Sequence, residues 1–233
     1  MKSFLLLLLL AQKPDPFDLE VGSVILLQSK PVQKELKVTE AQRKAMNKFA
    51  DSHKAKLESY QKELEKKQKD KTKALPVDVD RMDRMFADMK IGVIGQLSVG
   101  QVRRLREISL QQLGFVALTD RTVAKRVGLS DGDSSKLLKV YQAGIKEADE
   151  IGKTAQAQLR LQLADLERRK PKTDKEKKAV LDEAQKRAAV FAKKVDPQIQ
   201  AVQIKTRDKV LGMLSAKQRR AWSALLGKPF KVS

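Results

Sequence analysis

The sequence predicts an all-α protein built from elongated helical hairpins. Of its 233 residues, 33% are charged and only 4% are aromatic, a composition typical of long helices with wide solvated faces. Apolar residues recur at spacings of three and four over long stretches, as amphipathic helices require. Several of these stretches follow a Ser or Thr with Gln, Glu or Asp three positions later, which is the spacing of a helix capping box.

The chain begins with a short hydrophobic segment. Phe4 to Ala11 is an unbroken apolar run after a single Lys, too short for a transmembrane helix of about 20 residues but within the roughly 7 to 15 of a signal-peptide core. We therefore expect residues 1–12 to be a signal peptide and the protein to reach the periplasm or cell envelope. A helix packed in the core is the alternative, and without a signal peptide the protein would be cytoplasmic.

Residues 13–30 form an N-terminal segment, and the first helical unit follows it. The apolar run VGSVILLQ in this segment is compatible with a strand or a helix, and the helical context favours a helix. Pro76 interrupts the next long stripe, and Asp78 is expected to cap the helix that resumes. The expected helices of this unit are Thr39 to about Lys73, Asp78 to about Gly95, and Ser98 to Gly114.

A second unit contains the longest apolar pattern of the chain. After a short helix at about 119–127, a stripe runs from Ser130 for 39 residues, which makes a rod of about 60 Å. Pro171 ends it, Thr173 and Glu176 form a capping box, and Asp196-Pro197 is expected to start one more helix. A short turn between long stripes predicts an antiparallel hairpin. The stripe assigned to its buried seam is Leu137, Tyr141, Ile145, Ala148, Ile151, Ala155, Leu159, Leu163 and Leu166.

Four capping pairs suggest that the two units are copies of one another. The pairs are Thr39 with Gln42, Ser98 with Gln101, Ser130 with Asp133, and Ser215 with Gln218. Ser130 follows Thr39 by 91 residues and Ser215 follows Ser98 by 117, so the second unit would carry 26 extra residues in its hairpin. We predict tandem units at 31–115 and 122–230; the alternative is that four capping boxes arose independently.

The segments VTEAQ, LSVGQ, LSDGD and LSAKQ, each beside an amphipathic helix, resemble the motif of the LTxxQ periplasmic proteins, the Spy and CpxP family. That resemblance implies an all-helical cradle, export, and an ATP-independent holding chaperone with a basic, partly apolar concave face. This chain looks like two such units fused. The motif departs from the family pattern, since only Thr39 keeps the Thr and Asp133 replaces Gln. The His-rich metal-binding tail of the zinc-associated members is absent, so no metal site is carried over.

The charge of the chain indicates a polyanionic or acidic partner. A net charge of +20 and a pI near 10 attract nucleic acid, anionic membranes or acidic polypeptides alike. Unfolded or acidic polypeptides are the partners that the family resemblance favours. The candidate contact residues are Arg43, Arg103, Arg104, Arg219, Arg220, Trp222 and Phe230. Surface arginines without a role, and a Trp222 buried against helix ends, fit the same sequence.

Two other functions remain open from the sequence. Residues 122–139, TVAKRVGLSDGDSSKLLK, fit a helix-turn-helix, which with this charge would make the protein a nucleic-acid binder. Gly132 and Ser134 disfavour that interpretation, because a recognition helix loses stability with Gly and buries an apolar residue at the Ser134 position. A structural envelope protein is the third hypothesis.

The residue types argue against catalysis and cofactors. There is no Cys and one His, His53, so zinc sites and cysteine nucleophiles lack their ligands. The sequence has neither a GxSxG elbow nor a Gly-rich phosphate loop, and its carboxylates are interspersed with Lys and Arg at helix-surface spacing. We expect a protein that is not an enzyme and uses no cofactor, with His53 as a residue of a helix seam.

Overall fold

The computed structural model describes residues 13–69 and 76–231, and every regular element in these two ranges is helical. The predicted all-α fold is confirmed. The proposed signal peptide at 1–12 lies outside the described residues. Among the helices of the described ranges, none combines the length and the apolar character needed to cross a bilayer.

The chain divides into two compact units. Unit 1 comprises Met1–Gly114 with Ser223–Ser233, and unit 2 comprises Phe115–Trp222. The last residues thus group with the first unit, in contrast to the predicted unit 122–230. The reason is local, since the Gln111 side chain donates to the carbonyls of Leu226 (2.6 Å) and Lys228 (2.7 Å).

Unit 1 is assembled from short helices around one hairpin. Its elements are α1 Pro16–Val21, a 3₁₀ turn Val24–Gln28, α2 Lys30–Glu35, α3 Glu40–Lys69, α4 Pro76–Ile94 and α5 Val99–Leu113. α3 packs on α4, and α1 packs on α5. The ambiguous VILLQ segment is therefore a 3₁₀ turn. α4 begins at Pro76, so Asp78 lies in its first turn and is not its cap; Pro suits the first helical position because no backbone N–H is needed there.

The core of unit 1 collects apolar side chains from these elements. Buried members of one cluster are Leu27, Val32, Leu36, Met46, Val93, Ile94, Leu97, Val102, Leu105 and Ile108. A buried ion pair lies beside them, where the Arg106 Nε–H donates to Asp18 Oδ1 at 2.9 Å. Arg106 also donates to the Leu225 carbonyl. This one guanidinium therefore joins α1, α5 and the C-terminal residues of unit 1.

Unit 2 is dominated by two long helices. Its elements are a 3₁₀ turn Gly114–Thr119, α6 Arg121–Val127, α7 Asp131–Arg168, α8 Asp174–Gly212 and the start of α9 Ala216–Leu226. α7 and α8 pack against each other. α8 begins with a capping box, in which Thr173 and Glu176 make both hydrogen bonds.

The predicted helix start at Asp196-Pro197 is wrong, because α8 runs through Pro197 without a break. Pro in a helix interior costs about 3 kcal/mol through its missing N–H and its ring. Here Lys193, whose carbonyl loses that N–H, is exposed and water can hydrogen bond to it. Continued packing against α7 offsets the remaining cost.

Candidate functional site

The two capping pairs of unit 1 form closed boxes. The backbone N–H of Thr39 donates to Gln42 Oε1 (3.1 Å), and the N–H of Gln42 donates to Thr39 Oγ1 (3.2 Å). Ser98 and Gln101 make the same exchange at 2.7 and 3.4 Å. Each box satisfies N–H groups that a helix start leaves without intrahelical partners.

The two glutamines of unit 1 also bind each other. Their side-chain amides lie within hydrogen-bonding distance, with Gln42 Nε2 2.8 Å from Gln101 Oε1. The Gln42 amide donates to the carbonyl of Gln96 (3.1 Å), in the turn before Ser98. The Gln101 amide donates to the carbonyl of Leu36 (2.9 Å), in the turn before Thr39. Each glutamine thus caps its own helix through oxygen and holds the other helix entrance through nitrogen, an arrangement we call the glutamine junction.

Unit 2 has one arm of the same junction. Gln218 closes a box with Ser215 (2.8 and 3.2 Å) and donates from Nε2 to the Gly128 carbonyl at 3.0 Å, in the turn before Ser130. Asp133 stands where unit 1 has Gln42. Its backbone N–H donates to Ser130 Oγ (3.1 Å), but a carboxylate has no N–H to donate to a second turn.

The turns that receive these bonds share a backbone conformation. Lys37 and Gly128 lie two residues before Thr39 and Ser130, and both have a positive φ, 52° and 84°. Each ends a short helix and precedes a long one. The same turn and cap therefore occur 91 residues apart, and the matching carbonyls of Lys37 and Gly128 accept from Gln101 (3.4 Å) and Gln218 (3.0 Å).

Four of the predicted contact arginines lie at the surface. Arg103, Arg219 and Arg220 are exposed. Arg43 is exposed as well, but its guanidinium donates to Glu40 at 2.6 and 2.9 Å. The structure does not gather them into one pocket within a unit, since Arg43 and Arg103 belong to unit 1 and the other two to unit 2.

Three other predicted contact residues are occupied within the fold. Trp222 is buried, with 7% of its surface exposed, and Phe230 packs on the core of unit 1. Arg104 donates to Glu35, Glu107 and the Lys228 carbonyl. Burial lowers the pKa of Arg104, but hydrogen bonds to Glu107 and Glu35 oppose this and the net pKa is raised. Arg104 and Trp222 therefore leave little surface exposed, and Phe230 is partly exposed.

The proposed helix-turn-helix segment forms two helices joined at Gly128, but its surroundings are those of a capping junction. α6 ends at Val127, and α7 continues as far as Arg168. Gly132 and Ser134 lie in the first turns of α7, and Leu137 is fully buried. The turn itself is bound by Gln218.

His53 lies in the seam of the α3–α4 hairpin. Its ring is buried and stacked on Phe49, with centroids 4.4 Å apart, and Nδ1 is 3.1 Å from the Phe49 carbonyl. Within residues 13–69 and 76–231, no group of three or more His, Asp and Glu side chains is arranged to hold a metal ion.

An apolar groove on unit 2, not predicted from the sequence, is the best-formed candidate site. It has a volume of about 570 Å³ and is lined by Phe115, Val116, Tyr141, Gly144, Ile145, Ala148, Asp149, Val202, Gln203 and Thr206. The Phe115 ring meets the Tyr141 ring edge-on at 6.1 Å. A Cβ on Gly144 would lie 2.2 Å from Thr206 Oγ1, so glycine permits the close approach of α7 and α8 that forms the groove floor.

The groove corrects the predicted seam. Ile145 was assigned to the buried stripe with Tyr141 and Ala148, yet half of its surface (50%) is exposed. A glycine inside a helical pattern can mark a packing contact, and Gly144 next to Ile145 is the signal that the sequence of α7 offers. Nothing in the sequence of α7 alone shows that Phe115 and Val116 would complete the wall.

An ion-pair network lies farther along the same hairpin. Arg187 donates to Asp165 (2.6 Å) and to Glu183, and Arg169 pairs with Glu183 (2.7 Å). The hydrogen bond from Arg187 lowers the pKa of Asp165, and those from Arg187 and Arg169 lower the pKa of Glu183. These exposed bonds link α7 to α8 beyond the groove.

Comparison with protein-family models, curated proteins and solved structures finds no match to this chain.

Proposed function

We propose that this protein is an exported, ATP-independent holding chaperone that binds apolar segments of unfolded or acidic polypeptides. The groove on unit 2 carries the proposal. Its volume lies within the roughly 300 to 1,000 Å³ of typical binding pockets. Its lining is mainly apolar, with Tyr141, Asp149, Gln203 and Thr206 as its polar side chains, and Ile145 leaves half of its surface exposed.

The proposed mechanism has two steps, electrostatic attraction of the client and then apolar binding of it. A net charge of +20 raises the encounter rate with acidic chains, an effect that salt screens. Contact with Tyr141 and Ile145 then removes apolar surface of the client from water, at about 25 cal/mol per Å². Neither step requires nucleotide. The bound segment would be released when its own core competes for the same apolar side chains.

Aggregation of a denatured model protein tests the proposal. The full chain is expected to suppress light scattering at a near-stoichiometric ratio without ATP. Ile145→Ser is expected to raise the concentration for half-suppression about fivefold, because burying half an Ile side chain is worth about 1 kcal/mol.

Leu161→Ser is the matched control, since Leu161 lies on the same helix, is 78% exposed and is outside the groove lining. Equal effects of the two substitutions, or no suppression at any salt concentration, would refute groove binding. A steep loss of DNA or RNA binding with salt, without suppression of aggregation, would favour the nucleic-acid alternative. If the protein shows neither activity, the hypothesis of a structural envelope protein is favoured.

Export has a separate test. N-terminal sequencing of the protein from its native cells is expected to begin near Gln12, after cleavage at Ala11. An intact Met1 in the cytoplasm would contradict export and would leave the groove experiment unaffected.

A further inference from the structure

The turn between α7 and α8 carries an exposed basic cluster, which we call the tip cluster. Its members are Arg168, Lys170, Lys172, Lys175 and Lys178. All five residues are exposed, and none of their side chains forms an ion pair with a carboxylate of the described residues. Two neighbouring cations do form ion pairs. Arg169 pairs with Asp165 and Glu183, and Lys177 pairs with Asp174.

Glu176, an acid within this segment, is engaged with the backbone. Glu176 accepts the backbone N–H groups of Lys172 (2.7 Å) and Thr173 (3.2 Å), and these two bonds lower the pKa of its carboxyl group. The carboxylate is therefore held at the start of α8, where its Oε2 accepts both backbone N–H groups. The lysine charges around it remain available to an external anion.

The same charge pattern recurs in the sequence of the other hairpin. From the end of α3 towards α4 the chain reads KKQKDKTK, with Lys66, Lys67, Lys69, Lys71 and Lys73. A basic segment thus stands in the sequence where the first long helix of each unit ends.

We propose that the tip cluster docks on the surface of an anionic lipid bilayer. Four of its five members are Lys, which acts as a strongly hydrated point charge, whereas Arg is the residue suited to bidentate phosphate recognition. From Gln142 to Val190 the sequence has no aromatic residue, so bases of a single-stranded nucleic acid would find no stacking platform at the tip. Charges spread over a blunt rod end match a flat anionic surface.

The strength of such docking follows from surface electrostatics. Each Lys or Arg close to an anionic bilayer contributes about 1 kcal/mol, or about fivefold in partitioning, and the attraction decays within a Debye length of about 8 to 10 Å. Two lysines in contact at a time give about 25-fold. The interaction therefore depends on lipid charge and on salt, and this separates it from insertion of the apolar run at Phe4 to Ala11.

Vesicle flotation of the full chain tests the proposal. The vesicles contain phosphatidylglycerol and phosphatidylcholine at one to three, or phosphatidylcholine alone. The tip variant combines Lys170→Gln, Lys172→Gln, Lys175→Gln and Lys178→Gln. The control variant removes the same charge from the same hairpin through Lys136→Gln, Lys139→Gln, Lys193→Gln and Lys194→Gln, all exposed positions away from the turn.

The tip variant is expected to lose about 25-fold in partitioning to anionic vesicles, and the control less than about threefold. Binding to neutral vesicles should be equal in all three proteins. Equal losses in the two variants, or no preference of the wild-type chain for anionic vesicles, would overturn the proposal. A tip-dependent loss seen with a DNA duplex and not with vesicles would overturn it in favour of nucleic acid. Unchanged melting temperatures verify that both variants are folded.

Discussion

Unit 1 and unit 2 follow the same order of helices but use their apolar surface differently. In unit 1 the side chains of α3, α4 and α5 converge on a closed core, and a two-way glutamine junction fixes the helix entrances. In unit 2 the junction has one arm, and the longer hairpin leaves an open apolar groove beside Ile145. The comparison shows that the helices of one unit can enclose an apolar core, whereas the longer helices of the other leave an apolar groove open.

The largest expected effect is the loss of the buried ion pair between Asp18 and Arg106 in unit 1. Asp18→Ala leaves the Arg106 guanidinium buried without its carboxylate, and removal of one partner of such a pair costs about 3 to 5 kcal/mol. Urea unfolding monitored by circular dichroism measures the loss. Arg43→Ala, which breaks the exposed pair with Glu40, should change the midpoint little. Similar losses in the two variants would show that burial does not set the strength of this contact.

The junctions should differ in cooperativity. Gln101→Ala removes a cap and the bonds to Gln42 and the Leu36 carbonyl, and is expected to cost about 1 to 3 kcal/mol. Gln218→Ala removes a cap and one tertiary bond, at about 1 to 2 kcal/mol. A double-mutant cycle of Gln42→Ala with Gln101→Ala should give a coupling of at least about 0.5 kcal/mol. Strict additivity would mean that the two amides do not support each other.

The turns at Lys37 and Gly128 can be compared by exchanging their residue types. Lys37 has a φ of 52°, which Gly adopts at no steric cost, so Lys37→Gly is expected to gain up to about 1 kcal/mol. Gly128→Lys should lose about 1 kcal/mol through φ alone, because no atom lies within 4 Å of a Cβ built there. Chemical denaturation measures both. The same sign for both exchanges would indicate that the two turns are not conformational equivalents.

The smallest effect is a pH dependence in the unit 2 hairpin. Asp165 and Glu183 have a pKa lowered below the ordinary 3.8 and 4.5 by Arg187. Their contribution to stability is therefore complete above about pH 4.5 and is lost as pH falls through the lowered values. Melting temperatures of wild type and Arg187→Gln should converge as pH falls through and below this range. A difference that grows with acidification would contradict the sign.

The sequence predicted local features better than tertiary ones. Helix starts at Ser98, Ser130 and Thr173 have their capping hydrogen bonds, because a box depends on residues three positions apart. The helix break that the sequence predicts at Pro197 does not occur, since the local penalty of the proline is offset by packing along α7. The second role of Gln42 and Gln101 could not be read from spacing, because it depends on which turns meet in space.

For the candidate functional residues too, the sequence predicts exposure better than it predicts tertiary contacts. Exposure at Arg103, Arg219 and Arg220 agrees with their charge, whereas Arg104 next to Arg103 faces Glu35 and Glu107. A one-residue step along a helix turns a side chain by about 100°, and only the packed structure shows which step faces inward. The groove cannot be predicted from the pattern of α7 for a related reason, since its wall at Phe115 comes from a separate element.

Site-specific photo-crosslinking tests the central claim most directly. A photoreactive residue is placed at Ile145 in the groove, at Leu161 outside it on the same helix, and at Phe86 on the surface of unit 1. A denatured acidic client is then added and the mixture irradiated. Groove binding predicts crosslinks at position 145 in at least about fivefold excess over the other two. Equal crosslinking at all three positions, or a preference for Phe86, would contradict the division of labour between the units.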